Sequence, residues 1–463
     1  MRDWSPERVA VAAGAVLAGR PPASPSSGSL AGADGPQPQS PAWGAEGAAG
    51  GRRGPSRVTI DSRDVRPGDL FVGLPGTRVD GGGFAAGALH AGAWGVVVAP
   101  GHVSDARCAP AGTVLACDDP LAALQSLARA WRRELGAQVV AITGSTGKTS
   151  TKDLLAAMAR PSRRTVASEQ NLNTEIGVPL TILGAPAGTE VLVLELAMRG
   201  AGQIAELAAI AEPDVGVILN VGPVHLELLG TLERVAAAKA ELLEGLRGGA
   251  TAILPADEPL LDRHRRADLR VVTFGAGGDV EDLGDVEIPF TSAHMRLNAL
   301  AALAAARAVG IEPHGMLDVA LSDRRGQRIE LPGAVVVIDD CYNANPMSMR
   351  AALDDLRASA SGRSIAVLGD MLELGADAVS YHEEIGEHAA ETGVDMLVAV
   401  GPLAAHMGAR FHGERHFVPD AVAAASLAQE LVRPGDTVLV KASRGVGLEA
   451  VAEGLRALAA TGA

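Results

Sequence analysis

Val139-Val-Ala-Ile-Thr-Gly-Ser-Thr-Gly-Lys-Thr-Ser150 decides how this 463-residue chain is to be read. Residues 139–143 are an apolar run, the glycines that follow make a turn, and residues 150–159 are good helix formers. Strand, glycine-rich turn and helix in that order is the context of a phosphate loop, where backbone N–H groups and the helix N-terminus hold anionic oxygens. Gly144, Ser145, Thr146, Gly147 and Ser150 would line the turn, Lys148 would reach the terminal phosphates and Thr149 would bind Mg²⁺. One position departs from the usual pattern: Ile142 stands where a glycine is common.

Working outward, apolar runs at 191–196, 215–221, 251–254 and 271–274 alternate with helical stretches, and a helix at 294–309 closes the region. Continuous apolar strands separated by helices indicate a parallel sheet covered on both faces. The alternation repeats at 334–339, 364–368, 396–400 and 437–440. Upstream, short runs at 57–61, 69–74, 95–99 and 113–117 form a smaller α/β region, followed by helical spacing over 121–135. The expectation is an α/β protein of three domains in series, at 1–120, 121–323 and 324–463, without short internal repeats. Residues 19–55 are dominated by Gly, Ala, Pro and Ser, too little apolar surface to offset ordering, and read as a flexible insertion.

Bulk chemistry narrows the function. Forty basic against 55 acidic residues leave a net charge of −15, and aromatics are only 3%, so neither a polyanion nor stacked bases are attracted. No nucleic-acid partner is expected. Three cysteines, Cys108, Cys117 and Cys341, lack disulfide or zinc spacing and fit a reducing compartment. The apolar stretch 9–19 follows Asp3 and Glu7, is rich in Ala and Gly and is far too short for a membrane span. With Ser5 as N-cap and Pro6 at the first helical position, it reads as a short surface helix of a cytoplasmic protein.

The basic residues carry a sharper signal: only Lys148, Lys152, Lys239 and Lys441 are lysines, and the rest are arginines. A lysine retained against that bias is a candidate for work arginine cannot do, since it is compact and can lose its proton and react. Lys152, on the helix after the loop, reads as a remnant without such work. Glu195 ends the strand run at 191–196 and His225 follows the run at 215–221, both at the carboxyl edge where open α/β sheets bind ligands. Lys239 comes fourteen residues later, on a helical stretch at 232–246. Carboxylate and imidazole beside phosphate oxygens suit Mg²⁺ or Mn²⁺, although ordinary loop polarity accounts for Glu195 and His225 equally well.

From Arg57 onward the chain resembles the Mur ligase family, and its D-alanyl-D-alanine-adding members in particular. The resemblance is carried by Thr59-Ile-Asp-Ser-Arg63, Asn171-Leu-Asn173-Thr-Glu-Ile-Gly-Val-Pro179, Asp339-Asp-Cys-Tyr-Asn-Ala-Asn-Pro346, Val367-Leu-Gly-Asp-Met-Leu-Glu-Leu-Gly375 and Val440-Lys-Ala-Ser-Arg-Gly445. It implies a small N-terminal domain binding a uridine nucleotide, with Ser62 and Arg63 in that region. A central phosphate-loop domain and a Rossmann-like C-terminal domain would follow. Lys148 would act on ATP, and Thr149, Glu195 and His225 would hold two Mg²⁺ ions together with Lys239, carbamylated by CO₂. Asn298 and Asp340 would contact the adenosine and Arg328 the phosphates. Asn171, Asn173, Tyr342, Asn343, Asn345, Lys441, Ser443 and Arg444 would face the substrates, UDP-N-acetylmuramoyl-tripeptide and D-alanyl-D-alanine. The implied chemistry is amide formation through an acyl phosphate by a cytoplasmic monomer. Ala197 replaces an expected glycine, and 275–293 is shorter than the family's usual link, so strands there are expected to be missing. A sister ligase adding one amino acid, a folylpolyglutamate synthase or a non-catalytic nucleotide-binding homologue would share part of this pattern.

Overall fold

The computed structural model describes residues 1–19, 54–109, 111–169 and 171–461, so the insertion expected at 19–55 falls almost wholly outside the described residues. They form two compact units, one of 1–135 with 182–187, the other of 136–181 with 188–463.

In the first unit, Ser5 Oγ accepts the Arg8 N–H at 3.2 Å and Pro6 opens the helix Pro6–Ala12. The expected surface helix at 9–19 is corrected at this point. The helix stops at Ala12, Gly14 turns the chain at φ +62°, and Val16–Gly19 is a strand antiparallel to Thr113–Ala116. Glycine admits that left-handed turn without a Cβ penalty, and β-branched Val16 then favours extension. Beyond Thr113–Ala116 the sheet continues in parallel through Gly95–Val98, Leu70–Val72 and Val58–Thr59. The helix Pro120–Leu135 buries Leu124, Leu127, Ala128 and Trp131, spaced three and four apart. Trp131 Nε1–H donates to the Ala185 carbonyl at 3.0 Å, satisfying the one polar atom of that buried ring.

The second unit contains two six-stranded sheets. In the first the order is Arg270–Phe274, Thr251–Pro255, Val215–Ile218, Gln138–Thr143, Val191–Glu195 and Thr165–Ala167, all parallel. On one face lie the helices Lys148–Ala159 and Ala293–Ala308. Alanines at 299, 301, 302, 304, 305 and 306 keep the latter helix slim, so it packs close to the former. Leu154 and Leu155 are fully buried there, each contributing about 1.5–3 kcal/mol. On the other face Leu242 and Leu246 sit over Gly216, at 3.2 and 3.1 Å from where a Cβ would stand. Within 275–293 the structure holds one two-residue strand, Val286–Glu287, paired with Gly315–Met316.

The second sheet runs Gln327–Leu331, Val335–Asp339, Thr437–Lys441, Ser364–Gly369, Met396–Val400 and Glu414–Val418. Only the first pair is antiparallel. The strand last in sequence, Thr437–Lys441, slots between two earlier ones, which creates a switch point where crossovers leave in opposite directions and a crevice opens at the strand ends. Among the described residues no helix is long and apolar enough to cross a membrane.

His382, on the helix Ala378–Glu391, is fully buried; Nε2 accepts the Met371 N–H at 2.9 Å and Nδ1 meets the Ala378 carbonyl at 2.6 Å. Burial pushes its pKa below the ordinary histidine value, with the Ala378 carbonyl opposing that shift. The folded state therefore keeps His382 neutral while the unfolded chain takes up a proton below about pH 6.5. Stability should fall as pH drops through that value, by at most about 1.4 kcal/mol per pH unit for this group. Urea unfolding at pH 7.5 and 5.5 checks this: His382→Gln, which can still accept the Met371 N–H, should show a smaller acid loss than the parent.

Candidate active site

Strand Gln138–Thr143 carries the chain to the loop, and Ile142 is fully buried in that strand, paired with Glu195 and Val217. The turn thus begins two residues later, at Gly144, and the missing glycine is a core position of the sheet. Asn220, just past the strand Val215–Ile218, holds the loop's first half: its Oδ1 accepts the Ser145 and Thr146 N–H groups at 3.0 Å each. Ser145 Oγ accepts the Gly222 N–H at 2.9 Å, and Asn345 Nδ2 donates to the Ser145 carbonyl at 3.3 Å. Gly147 has φ +81°, and a Cβ there would lie 2.3 Å from Asn298 Oδ1. Only glycine meets both conditions.

Lys148 Nζ donates to the Gly144 carbonyl at 2.7 Å, curling back over the loop. Thr149 Oγ1 donates to Glu195 Oε2 at 2.8 Å, while Asn173 Nδ2 donates to the other oxygen at 2.9 Å. Both oxygens of this buried carboxylate are engaged, and neither pairs with a lysine. Burial lowers the Lys148 pKa; the Arg325 charge adds to that and Glu195 opposes it.

Lys239 stands on the helix Leu232–Glu244 and is 1% exposed. Among the described residues its ammonium has neither a hydrogen bond nor an ion pair. Desolvation, and secondarily the charge of Lys148, push its pKa well below that of an ordinary lysine. His225 takes a left-handed φ of +53°, and its Nδ1 lies 2.5 Å from Glu373 Oε2. Burial lowers its pKa against the pull of Glu373.

The remaining lysines are also built in. Lys152, expected to be a remnant, is 3% exposed; it donates to the Ser168 carbonyl at 2.7 Å and pairs with Asp153 at 2.9 Å. It ties the phosphate-loop helix to its sheet, and the expectation is corrected. Lys441 pairs with Asp340 Oδ2 at 2.6 Å and donates to the Asn343 carbonyl at 3.0 Å.

Every expected residue of the central and C-terminal regions, from Gly144 to Arg444, lines one cleft of about 1560 Å³. Ser62 and Arg63 belong to the N-terminal unit, where Arg63 makes a two-pronged ion pair with Asp61 on an exposed turn. Asn220, Arg325 and Glu373 are among the lining residues that the sequence reading did not single out. Arg325 stands 3.8 Å from the Tyr342 ring centre, with Arg444 at 5.4 Å, and its charge is felt at Lys148. Arg328, three residues on, is engaged by Asp355 at 2.9 Å. Spacing alone cannot rank neighbouring arginines; the turn before the edge strand does.

Among the described residues no three His, Cys, Asp or Glu side chains could hold a metal by themselves. Glu195, the Thr149 hydroxyl and the His225 imidazole nevertheless share the cleft with the phosphate loop, and their chemistry fits a hard divalent cation once phosphate oxygens are added.

Three models of one family match the chain: the Mur ligase family catalytic domain at 56–132, the Mur ligase middle domain at 142–284 and the Mur ligase glutamate ligase domain at 324–444. The UDP-N-acetylmuramoyl-tripeptide--D-alanyl-D-alanine ligase of Mycobacterium bovis is 39% identical, covering 87% of this chain and 92% of its own length. The enzyme of the same name from Bacillus subtilis is 35% identical over 86% and 92%. A crystal structure of MurF ligase from Thermotoga maritima in complex with ADP aligns with a TM-score of 0.76 at 31% identity, covering 88% of this chain and 98% of that one.

Gly147→Ala should weaken ADP binding by roughly ten-fold or more, because the loop must give way to Asn298 at about 1–3 kcal/mol. Calorimetric titration with ADP checks this, and an unchanged affinity contradicts it.

Proposed function

The chain belongs to the Mur ligase family, and we propose that it joins D-alanyl-D-alanine to the terminal carboxylate of UDP-N-acetylmuramoyl-tripeptide at the expense of ATP. The carrying observation is the buried, partner-free Lys239 amine in the same cleft as the phosphate loop, Glu195 and His225.

The chemistry follows from these groups. Nucleotide phosphates would lie along the loop's N–H groups, with Lys148 released from the Gly144 carbonyl to meet them. The tripeptide carboxylate attacks the γ-phosphorus, the bond to ADP breaks, and an acyl phosphate forms. Lys148 and Arg325 neutralise the charge that gathers there, with Arg328 in the same cleft. The neutral amine of the dipeptide then attacks the acyl carbon, phosphate departs, and one proton is lost as the amide forms. Asn171, Tyr342, Asn343, Ser443 and Arg444 would face these substrates, Asn298 and Asp340 the nucleoside, and Ser62 and Arg63 the uridine nucleotide.

Two Mg²⁺ ions would be held by Thr149, Glu195, His225 and a carboxylated Lys239, and when bound they would offset phosphate charge. Lys239 suits that part because burial, and secondarily the charge of Lys148, disfavour its protonated form, and a neutral amine can add to CO₂ with loss of one proton. The product is an anionic ligand where a cation is disfavoured. We further propose the functional division 1–120, 121–323 and 324–463, acting as a cytoplasmic monomer. Three unpaired cysteines support that compartment.

Phosphate release is expected with UDP-N-acetylmuramoyl-tripeptide only when D-alanyl-D-alanine is added; turnover with a single amino acid instead would favour the sister ligase. Lys239→Ala should lower the rate by roughly 100-fold or more, with partial recovery on adding acetate or formate. Unchanged activity in that variant would end the carboxylated-lysine reading.

A further inference from the structure

Glu373 lies in the C-terminal part of the second unit, yet its carboxylate is committed to the central part. Its Oε2 is 2.5 Å from His225 Nδ1, and its carbonyl accepts the Glu227 N–H at 3.3 Å. Both partners are held in unusual backbone: His225 at φ +53° and Glu373 at φ +64°, in the region that side chains other than glycine's rarely adopt. Two residues after Glu373, Gly375 at φ +69° brings the chain so close that a Cβ would lie 3.4 Å from the Glu227 nitrogen.

The segment carrying Glu373 is fixed from within its own domain. The Met371 N–H goes to His382 Nε2, the Leu372 N–H to Ser443 Oγ at 2.9 Å, and the Ser443 N–H to the Asp370 carbonyl at 3.0 Å. Asp370 Oδ1 accepts the Ala404 N–H at 2.7 Å. A carboxylate this firmly mounted, reaching one imidazole nitrogen, leaves the ring little choice of tautomer.

We infer that Glu373 is a positioning residue for the metal-binding histidine, an inference that rests on the ligand role proposed for His225. By accepting the Nδ1–H, Glu373 makes Nε2 the lone-pair nitrogen, turns the ring to a fixed orientation and raises its basicity as a ligand. Because the family's middle-domain model takes in His225 and its glutamate ligase domain model Glu373, the histidine is held in this orientation only while the two parts are joined through this contact. The contact thereby links docking of the acceptor-side domain to assembly of the site where phosphate charge is offset.

The test uses the full chain and two readouts that need no turnover. Histidine ¹⁵N NMR of the metal-free protein, assigned by difference from His225→Gln, should show His225 protonated at Nδ1. Mn²⁺ titration in the presence of ADP, followed by electron paramagnetic resonance, supplies the affinity. Glu373→Ala should shift the tautomer away from Nδ1–H and weaken Mn²⁺ binding by about ten-fold or more, with ADP affinity in the absence of metal unchanged. Glu373→Gln, whose carbonyl can still accept the Nδ1–H, should keep the tautomer and recover most of the affinity. An unshifted tautomer in Glu373→Ala, or a Glu373→Gln variant as poor as Glu373→Ala, overturns the inference. His225→Gln separates the two levels: if that variant binds Mn²⁺ as well as the parent, the ligand reading itself fails; if it binds poorly while Glu373→Ala binds normally, only the role of Glu373 fails.

Discussion

Two lysine side chains, Lys148 and Lys239, share the cleft at the phosphate loop, and burial pushes the pKa of both down, that of Lys239 well below an ordinary lysine's. Lys148 keeps a carbonyl partner at Gly144, and the Glu195 charge favours its protonated form. Lys239 is almost fully buried at the cleft wall and has the field of Lys148 against it. Glu195 forms no ion pair with it; Thr149 and Asn173 take both Glu195 oxygens. A buried amine without a hydrogen-bond partner is costly to keep unless it reacts or binds something. That asymmetry organises the cleft: a cation for phosphates on the loop, and on the helix Leu232–Glu244 a lysine whose protonated form is disfavoured.

Around this pair the fold supplies rigid mounts from three elements. The parallel sheet delivers the loop and Glu195 from adjacent strands, paired at Ile142 and Glu195. Asn220 pins the first half of the loop, which leaves the N–H groups nearer the helix for a ligand. The second sheet brings Arg325, Tyr342 and Lys441 to the same cleft from a hairpin and a switch point. Two of the non-glycine residues with left-handed backbone, His225 and Glu373, are in contact with each other in the cleft, in keeping with strain held where geometry is over-determined for function.

Much of this was legible in the residues. The loop, the buried strands and the central helices declare themselves because both faces of a parallel sheet are apolar, so whole runs such as Val191–Glu195 read without ambiguity. Elements at the periphery did not: Thr165–Ala167, Gln327–Leu331 and Glu414–Val418 are sheet edges, half-exposed and without a continuous apolar run. Near the N-terminus, Gly14 split what looked like one helix into a helix and a strand, a choice set by long-range pairing with Thr113–Ala116. Lysine scarcity pointed to three informative positions and undervalued the fourth, because the role of Lys152 depends on Ser168, a contact between helix and sheet that spacing does not encode. Arg325 was hidden among neighbouring arginines for the same reason.

The central claim is that Lys239 is an uncharged amine that takes up CO₂. Carbon-13 NMR of the protein equilibrated with ¹³C-labelled bicarbonate tests it most directly. The account predicts a carbamate carbon resonance in the parent chain that is lost on Lys239→Ala and retained when any of the other three lysines is changed to methionine. Absence of the resonance in the parent at saturating bicarbonate, or its persistence in Lys239→Ala, would contradict the account.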